Sequence, residues 1–352
     1  MQYVQIDALN EQSPTLTTRR ALLSVLTKNP PDVHITTCVT EQVLQIASSV
    51  SPTVTYAMEH SAICPVGSKY WSTLRMACPV RAGAICTVAR PLLGCGARRT
   101  SLDREPIDRR RAYAEALRSP MSRIWVPSSD LRSRFLYQGF RPGSVSIVPN
   151  LGMRSTIGDL RESANEVPPR LRDRILFVGR LSKEKGAGLL PSLLEYPTLR
   201  TTLSVIGDGY LRAQLSDKLG SALMPPTDQR GIAGALMWAR GVLFPSLWPE
   251  PGGIVGIDAH LFGVPVAGIS VGAPLDWPRA TLVSRRDLKG FDLWASSLTE
   301  SRHARDPLPV STAQTRYWSQ VGQRAERLLH EFINGQKWSG HGENPVREAL
   351  ST

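Results

Sequence analysis

The sequence predicts an α/β protein built from two doubly wound parallel-sheet domains, and three observations carry that expectation. Short apolar runs rich in Val, Ile and Leu alternate with amphipathic stretches of helical length. At 352 residues the chain exceeds the ~250–300 at which a single hydrophobic core stops growing. A polar, unpatterned segment from Met153 to Arg174, holding Pro168 and Pro169, separates one alternation from the next.

In the first half, PDVHITTCV and TVTYAMEH read as buried strands, with EQVLQIASSV between them as a short helix. The stretch from Ser61 to about Thr100 is rich in Gly, Pro and Cys and reads as irregular. SRIWVPSS is a strand; DLRSRFLYQGF is a helix capped by Ser or Asp and stopped at Gly139. VSIVPN follows as another strand. The second half restarts with RILFVGR as a strand and GLLPSLLEY as a helix. TTLSVIGDG then reads as a strand and YLRAQLSDKLG as a helix closed by Gly220. GVLFPS is a strand, GGIVGIDAHLFG a helix and VPVAGIS a strand. RYWSQVGQRAERLLHEFI is an amphipathic final helix. Strands separated by helices imply parallel sheets covered on both faces. Residues 1–155 and 156–335 are the expected domains, and residues 336–352 a flexible tail.

Composition narrows the function. Hydrophobic content of 41% and charged content of 20% fit a globular protein and exclude collagen-like or disordered classes. No run reaches the ~18 consecutive apolar residues of a spanning helix, and the N-terminal residues lack a signal-peptide pattern, so the expected location is cytoplasmic. A net charge of +12 implies anionic partners. The charge is concentrated: ten arginines against five acids lie between Ala97 and Arg134. That cluster reads either as a solvated surface or as a patch facing an anionic inner membrane or an acceptor. No zinc-finger, basic-zipper or RNP pattern accompanies it, so nucleic acid is not the expected partner. Cys64, Cys78, Cys86 and Cys95 lack the tight C-x2-C spacing with which two thiolates share a tetrahedral zinc. They are weak metal candidates, with packing in a long loop as the plainer reading.

The chemistry concentrates in three loops at strand ends. Arg180 and Lys185, in VGRLSKEKG, follow a strand and precede a helix, where two cations can neutralise a diphosphate; two surface basics in a turn is the plainer reading. In EPGGIVGID, Gly252 and Gly253 let a ligand approach the backbone, and the helix that follows offers N–H groups at Gly253, Ile254 and Val255. Glu250 precedes the turn. Asp258 lies a turn or more into the helix, at a distance suited to ribose hydroxyls.

VGRLSKEKG, VIGDGYLRAQL and PSLWPEPGGIVGIDAHLFGVPVAG, in this order, resemble the donor domain of glycosyltransferase family 4. These are retaining enzymes of the GT-B fold, in which two Rossmann-like domains face a cleft. The family's E-x7-E pattern matches Glu250 and Asp258, with Asp in the second position. MEHSAICP and VPSSDLRSRFLYQGFRPGSVSIVPN resemble acceptor-domain segments more loosely. The resemblance implies that Arg180 and Lys185 bind the donor diphosphate, that Gly253 to Val255 meet its phosphates, that Glu250 contacts the donor sugar and that Asp258 contacts the ribose. It implies that His60 lies near the anomeric carbon, and that the last helix, about 314–334, crosses back to the first domain. It also implies that no cofactor or divalent metal is needed, and that a nucleotide-sugar donor and a saccharide or lipid-linked acceptor are the partners.

The chain departs from that pattern in one further respect. No glycine precedes Gly67, so MQYVQIDALNEQSPTLTTRR supplies no glycine-rich opening loop, and the first domain is expected to be abbreviated by one or two βα units. Two function classes follow. One is a working retaining glycosyltransferase. The other is a truncated or degenerate relative that binds nucleotide or sugar, transfers little, and acts as a partner subunit.

Overall fold

A computed structural model of the protein describes residues 32–37, 41–95, 105–300 and 303–334. The opening segment through Pro31, Arg98, Arg99 and Arg104 of the basic run, and the expected tail 336–352 lie outside the described residues. The described chain divides into two units. One holds the residues through Lys69, then Pro79–Val148 and, from Gln323, the end of the final helix. The other holds Tyr70–Cys78 and Pro149–Gly322.

Strands are numbered along the chain: β1 (His34–Thr37), β2 (Thr53–Tyr56), β3 (Tyr70–Trp71), β4 (Met76–Ala77), β5 (Ser122–Val126), β6 (Val145–Ile147), β7 (Ile175–Val178), β8 (Leu203–Ile206), β9 (Leu223–Met224), β10 (Gly241–Phe244), β11 (Val266–Ile269) and β12 (Thr281–Val283). Among the described residues the first unit carries a parallel sheet in the order β1-β2-β5-β6. Its core places Ile124 and Val126 of β5 against Leu131 and Phe135 of the helix Ser129–Tyr137. That helix begins where the sequence indicates: the Ser128 hydroxyl accepts from the Leu131 N–H at 3.3 Å, satisfying a donor that the first turn leaves without an intrahelical partner.

The second unit is a parallel sheet in the order β12-β11-β10-β7-β8-β9. Every residue of β7, β8, β10 and β11 is buried, as expected for strands covered on both faces. The chain builds outward from β7 through β8 to β9, then returns to the other side of β7 and builds outward again. The carboxyl ends of β7 and β10 therefore flank the point where the winding reverses, the place at which open α/β sheets leave a crevice for ligands.

Three local expectations differ from the structure. The segment 153–174 contains a helix, Ile157–Asn165, started by a capping box in which Thr156 and Asp159 satisfy each other's backbone N–H groups. The stretch GLLPSLLEY is not one helix: a 3-10 turn (Ala187–Leu189) leads into a single turn, Leu190–Leu193, and a second helix, Pro197–Thr202, starts on its own proline. The following strand accordingly begins at Leu203 instead of Thr201. Within the stretch expected to be irregular, β3 and β4 pair as an antiparallel hairpin, and a helix spans Ile85–Leu93, closed by left-handed Gly94.

The final helix is longer than its amphipathic stretch suggests, spanning Pro307–Ile333. Its Gln314 side chain donates to the Met153 carbonyl at 2.8 Å and accepts from the Ser155 N–H at 3.3 Å. Tyr317 donates to the Asn150 carbonyl at 2.7 Å. Near the other end, Arg324 donates to the Ile147 carbonyl at 2.6 Å. Among the described residues no helix is long and apolar enough to cross a membrane.

Candidate functional site

Two loops meet at the reversal point of the second sheet. One leaves β7 and carries Arg180 and Lys185; the other leaves β10 and carries Ser246, Trp248 and Glu250. The Glu184 carbonyl accepts from the Leu247 N–H at 2.8 Å and the Trp248 N–H at 3.2 Å, so the loops are joined by their backbones. Their approach depends on Gly186, whose φ is +74° and at which a Cβ would lie 1.9 Å from the Pro245 carbonyl oxygen. No other residue fits there without moving one loop.

Glu250 is the centre of the arrangement. It is buried, and both carboxylate oxygens are engaged. Oε1 lies 2.5 Å from Lys185 Nζ; Oε2 accepts from Trp248 Nε1 at 2.5 Å and from the Ser246 hydroxyl at 3.2 Å. Lys185 Nζ also stands 5.4 Å from the centre of the Trp248 ring, within range of a cation–π attraction. A carboxylate with three donors is held in one orientation, and it holds the lysine in turn. Arg180 is freer: its side chain is 66% exposed and its guanidinium stands 3.7 Å from Glu184. The Tyr210 hydroxyl lies 3.5 Å from the same carboxylate. Ser246, Trp248, Glu184 and Tyr210 were not singled out from the sequence. The Ser and Trp precede Glu250 by four and two residues, and that spacing alone carries no signal of convergence.

Three residues beyond Glu250, Gly253 caps the helix Ile254–Leu261 in the left-handed region, with φ +54°. A Cβ there would lie 2.5 Å from the Trp277 ring, and one at Gly256 would lie 2.1 Å from it. The turn is therefore packed down on Trp277. Ile254 and Val255 open the helix, where N–H groups have no intrahelical acceptor and the positive end of the dipole attracts an anion. Gly252 and Gly253 are buried, while Ile254 is exposed.

Asp258 sits on the same helix but does not face open space. It is 4% exposed, and its Oδ1 accepts from the Met153 N–H at 2.5 Å. Burial pushes its carboxyl up to about 6, against the lowering effect of that hydrogen bond. Gly152 makes the contact achievable, because a Cβ there would lie 2.7 Å from Oδ1. That carboxylate ties the helix to the segment entering this unit.

His60 lies in the first unit and has no exposed surface. Burial first, then the Arg134 and Lys69 cations, hold its imidazole down to about 3. The imidazole that the resemblance places near the anomeric carbon is thus enclosed within the first unit. Cys64, Cys78 and Cys86 are buried, Cys95 is half-buried, and all four are free thiols. The Cys64 sulfur accepts from the Lys69 N–H at 3.3 Å. Among the described residues no group of three or more His, Cys, Asp or Glu is placed to hold a metal ion.

No protein-family model matches the chain. It is 30% identical over 163 residues to D-inositol 3-phosphate glycosyltransferase of Mycolicibacterium paratuberculosis (strain ATCC BAA-968 / K-10), a match covering 42% of this chain and 36% of that protein. The chain thus spans little more than a third of that relative's length. Among solved structures it is similar to sucrose-phosphate synthase (tll1590) from Thermosynechococcus elongatus, with a TM-score of 0.60 and 14% identity over 91% of this chain and 79% of that one. It is also similar to Anabaena Alr3699/HepE in complex with UDP, with a TM-score of 0.57 and 13% identity over 90% and 82% of the two chains. These likenesses show the GT-B fold of two Rossmann-like α/β domains and relate the chain to glycosyltransferases.

Proposed function

We propose that the chain is a retaining glycosyltransferase of the family 4 type, which takes a sugar from a nucleotide diphosphate donor and transfers it to a hydroxyl group. The observation that supports this most is the joining of Lys185 and Glu250 beside the helix start at Gly253, at the reversal point of the second sheet. In this reading the diphosphate rests against the N–H groups of Gly253, Ile254 and Val255, with Lys185 on one side and the exposed Arg180 closing over it. Glu250 orients Lys185 and meets hydroxyls of the donor sugar. The UDP of the Anabaena structure is the first nucleotide to test.

The acceptor oxygen forms its bond to the anomeric carbon on the face from which the diphosphate oxygen departs. The acceptor proton passes to that departing oxygen, and the nucleoside diphosphate carries away the bonding electron pair. Charge builds on the leaving phosphate, so fixed cations and helix N–H groups supply the largest stabilisation. Because Arg180 and Lys185 take that charge, we propose that no divalent metal is required. The test is a thermal-shift screen with UDP, GDP and ADP followed by turnover of the matching sugar nucleotide in EDTA. Saturable binding with turnover supports the reading, and no binding to any of the three sinks it. Binding without turnover on any candidate acceptor favours the partner-subunit alternative.

A lipid-linked acceptor or a peripheral membrane contact has a specific observation behind it. On the helix Ile85–Leu93, Ile85, Val88 and Leu92 share one face and are 57%, 59% and 68% exposed. Arg110, on the arginine-bearing helix Glu105–Ala116, lies within electrostatic reach of Cys86 on the buried side of the Ile85–Leu93 helix. An exposed apolar ridge on a chain of net charge +12 suits an anionic lipid surface. Co-sedimentation with phosphatidylglycerol vesicles, lost in Val88→Asp and absent with neutral vesicles, is the expected result.

A further inference from the structure

We propose that the pocket between the β3–β4 hairpin and the helix Arg212–Leu219 is a second anion site, which binds a small phosphate monoester with an apolar carbon body. The hairpin, though it comes early in the chain, clusters with the second unit. Tyr70 joins that unit's apolar core, and Arg285 donates to the carbonyls of Leu74 and Arg75 at 3.4 and 3.3 Å. Between the hairpin and the helices lies a cavity of about 450 Å³, within the size range of small-molecule sites. None of Arg180, Lys185, Glu250 or Gly253 lines it, so it is distinct from the candidate donor site.

Its walls have two kinds of chemistry. Arg75, Lys183 and Lys218 bring three cations from three separate chain segments, and no acidic residue lines the pocket. Leu189, Leu211, Leu215 and Leu247 supply the apolar surface. The second observation is Tyr70. It lines the pocket, is 3% exposed, and its hydroxyl has no hydrogen-bond partner among the described residues. A buried hydroxyl left without a partner is unfavourable; it is enclosed behind the pocket wall, and a shift of the ring toward the cavity would let an anionic oxygen satisfy it. Three converging cations favour a phosphate over a single-charge carboxylate, and the leucines favour a ligand with carbon behind the phosphate. The backbone of Arg75 is held at φ +49°, outside the region non-glycine residues prefer, and the Arg285 clasp keeps it there.

The experiment is calorimetric titration of the full chain with inorganic phosphate and with phenyl phosphate, alone and with saturating UDP. Phenyl phosphate is expected to bind one per chain, more tightly than inorganic phosphate, and to remain bound when UDP is present. Lys218→Glu and Arg75→Ala, both at exposed positions, should each weaken it by about ten-fold or more, since each removes a charge-assisted contact. Tyr70→Phe should weaken it several-fold while leaving the fold intact. Lys185→Ala should reduce UDP binding and leave phenyl phosphate binding in place. The proposal is overturned if phenyl phosphate does not saturate, if Lys218→Glu and Arg75→Ala leave its affinity unchanged, or if UDP displaces it. A failure of UDP to bind would count against the donor site and leave this pocket standing.

Discussion

Lys185 Nζ lies 2.5 Å from Glu250 Oε1 across 65 residues of sequence, and the two side chains are 20% and 10% exposed. The pair fastens the loop after β7 to the loop after β10, and it decides where a cation stands at the carboxyl edge of the sheet. Breaking a largely buried pair by removing one partner leaves the other charge without compensation, at a cost of roughly 3 kcal/mol. Glu250→Ala is therefore expected to lower unfolding stability by about that amount in urea. Glu250→Gln should cost less, because Trp248 and Ser246 keep an oxygen to donate to. An alanine variant as stable as the parent would refute the anchoring role.

Lys185→Ala tests the charge itself. If the cation meets a diphosphate, its removal should weaken UDP binding by about 10- to 100-fold, the size of a charge-assisted hydrogen bond. Arg180→Ala should have a smaller effect, because that side chain is 66% exposed and must be ordered on binding. Isothermal calorimetry on both variants gives the ranking, and unchanged affinity in both would remove the diphosphate from this edge of the sheet.

The buried carboxyl of Asp258 makes stability depend on pH. Its value is raised from 3.8 to about 6 by burial, so the folded chain holds a proton that the unfolded chain has lost between those values. Stability from this group is complete below pH 4 and is lost as pH rises through 6. The loss is on the order of 2–3 kcal/mol. Asp258→Asn should remove that slope while keeping an oxygen for the Met153 N–H. Urea unfolding at pH 4.5 and pH 7.5 is the check: the parent should lose more stability than the variant over this interval.

Gly256 packs directly under Trp277, and a Cβ there would lie 2.1 Å from the ring. Gly256→Ala must displace the indole or the helix, and overpacking of this kind typically costs 1–3 kcal/mol. Since the same ring supports the turn at Gly253, the variant should also weaken UDP binding. A lower Tm with unchanged UDP affinity would separate the turn from the ligand.

His60 should stay neutral through the physiological range. Its folded value is held near 3 by burial and by Arg134 and Lys69, below the 6.5 of an exposed imidazole. A base lowered in the folded state contributes stability above pH 6.5 that is lost as pH falls toward 3. Carbon-detected NMR of labelled histidine should show no His60 titration between pH 5 and 8. A midpoint near 6.5 would mean that the ring reaches solvent.

Much of the architecture was legible in the sequence, and so was part of the site. The strands of the second sheet are continuous apolar runs because both faces are buried, and periodicity reports that directly. The Ser128 cap, the Gly253 turn and the Arg180 and Lys185 cations could be placed on their elements because each depends on neighbours a few residues away. The capping box at Thr156 and Asp159 was also legible in principle, but its short amphipathic helix was masked by polar residues and prolines. The tertiary structure alone decided that Lys185 meets Glu250, that Asp258 turns inward to the Met153 N–H, that His60 is enclosed, and that the Tyr70–Ala77 hairpin joins the second unit. Each of those outcomes depends on partners 65 to more than 100 residues distant or on full burial. Sequence spacing carries a helix or a turn because local geometry repeats, whereas which side chains converge is set by the order of strands in a sheet and by how its loops pack.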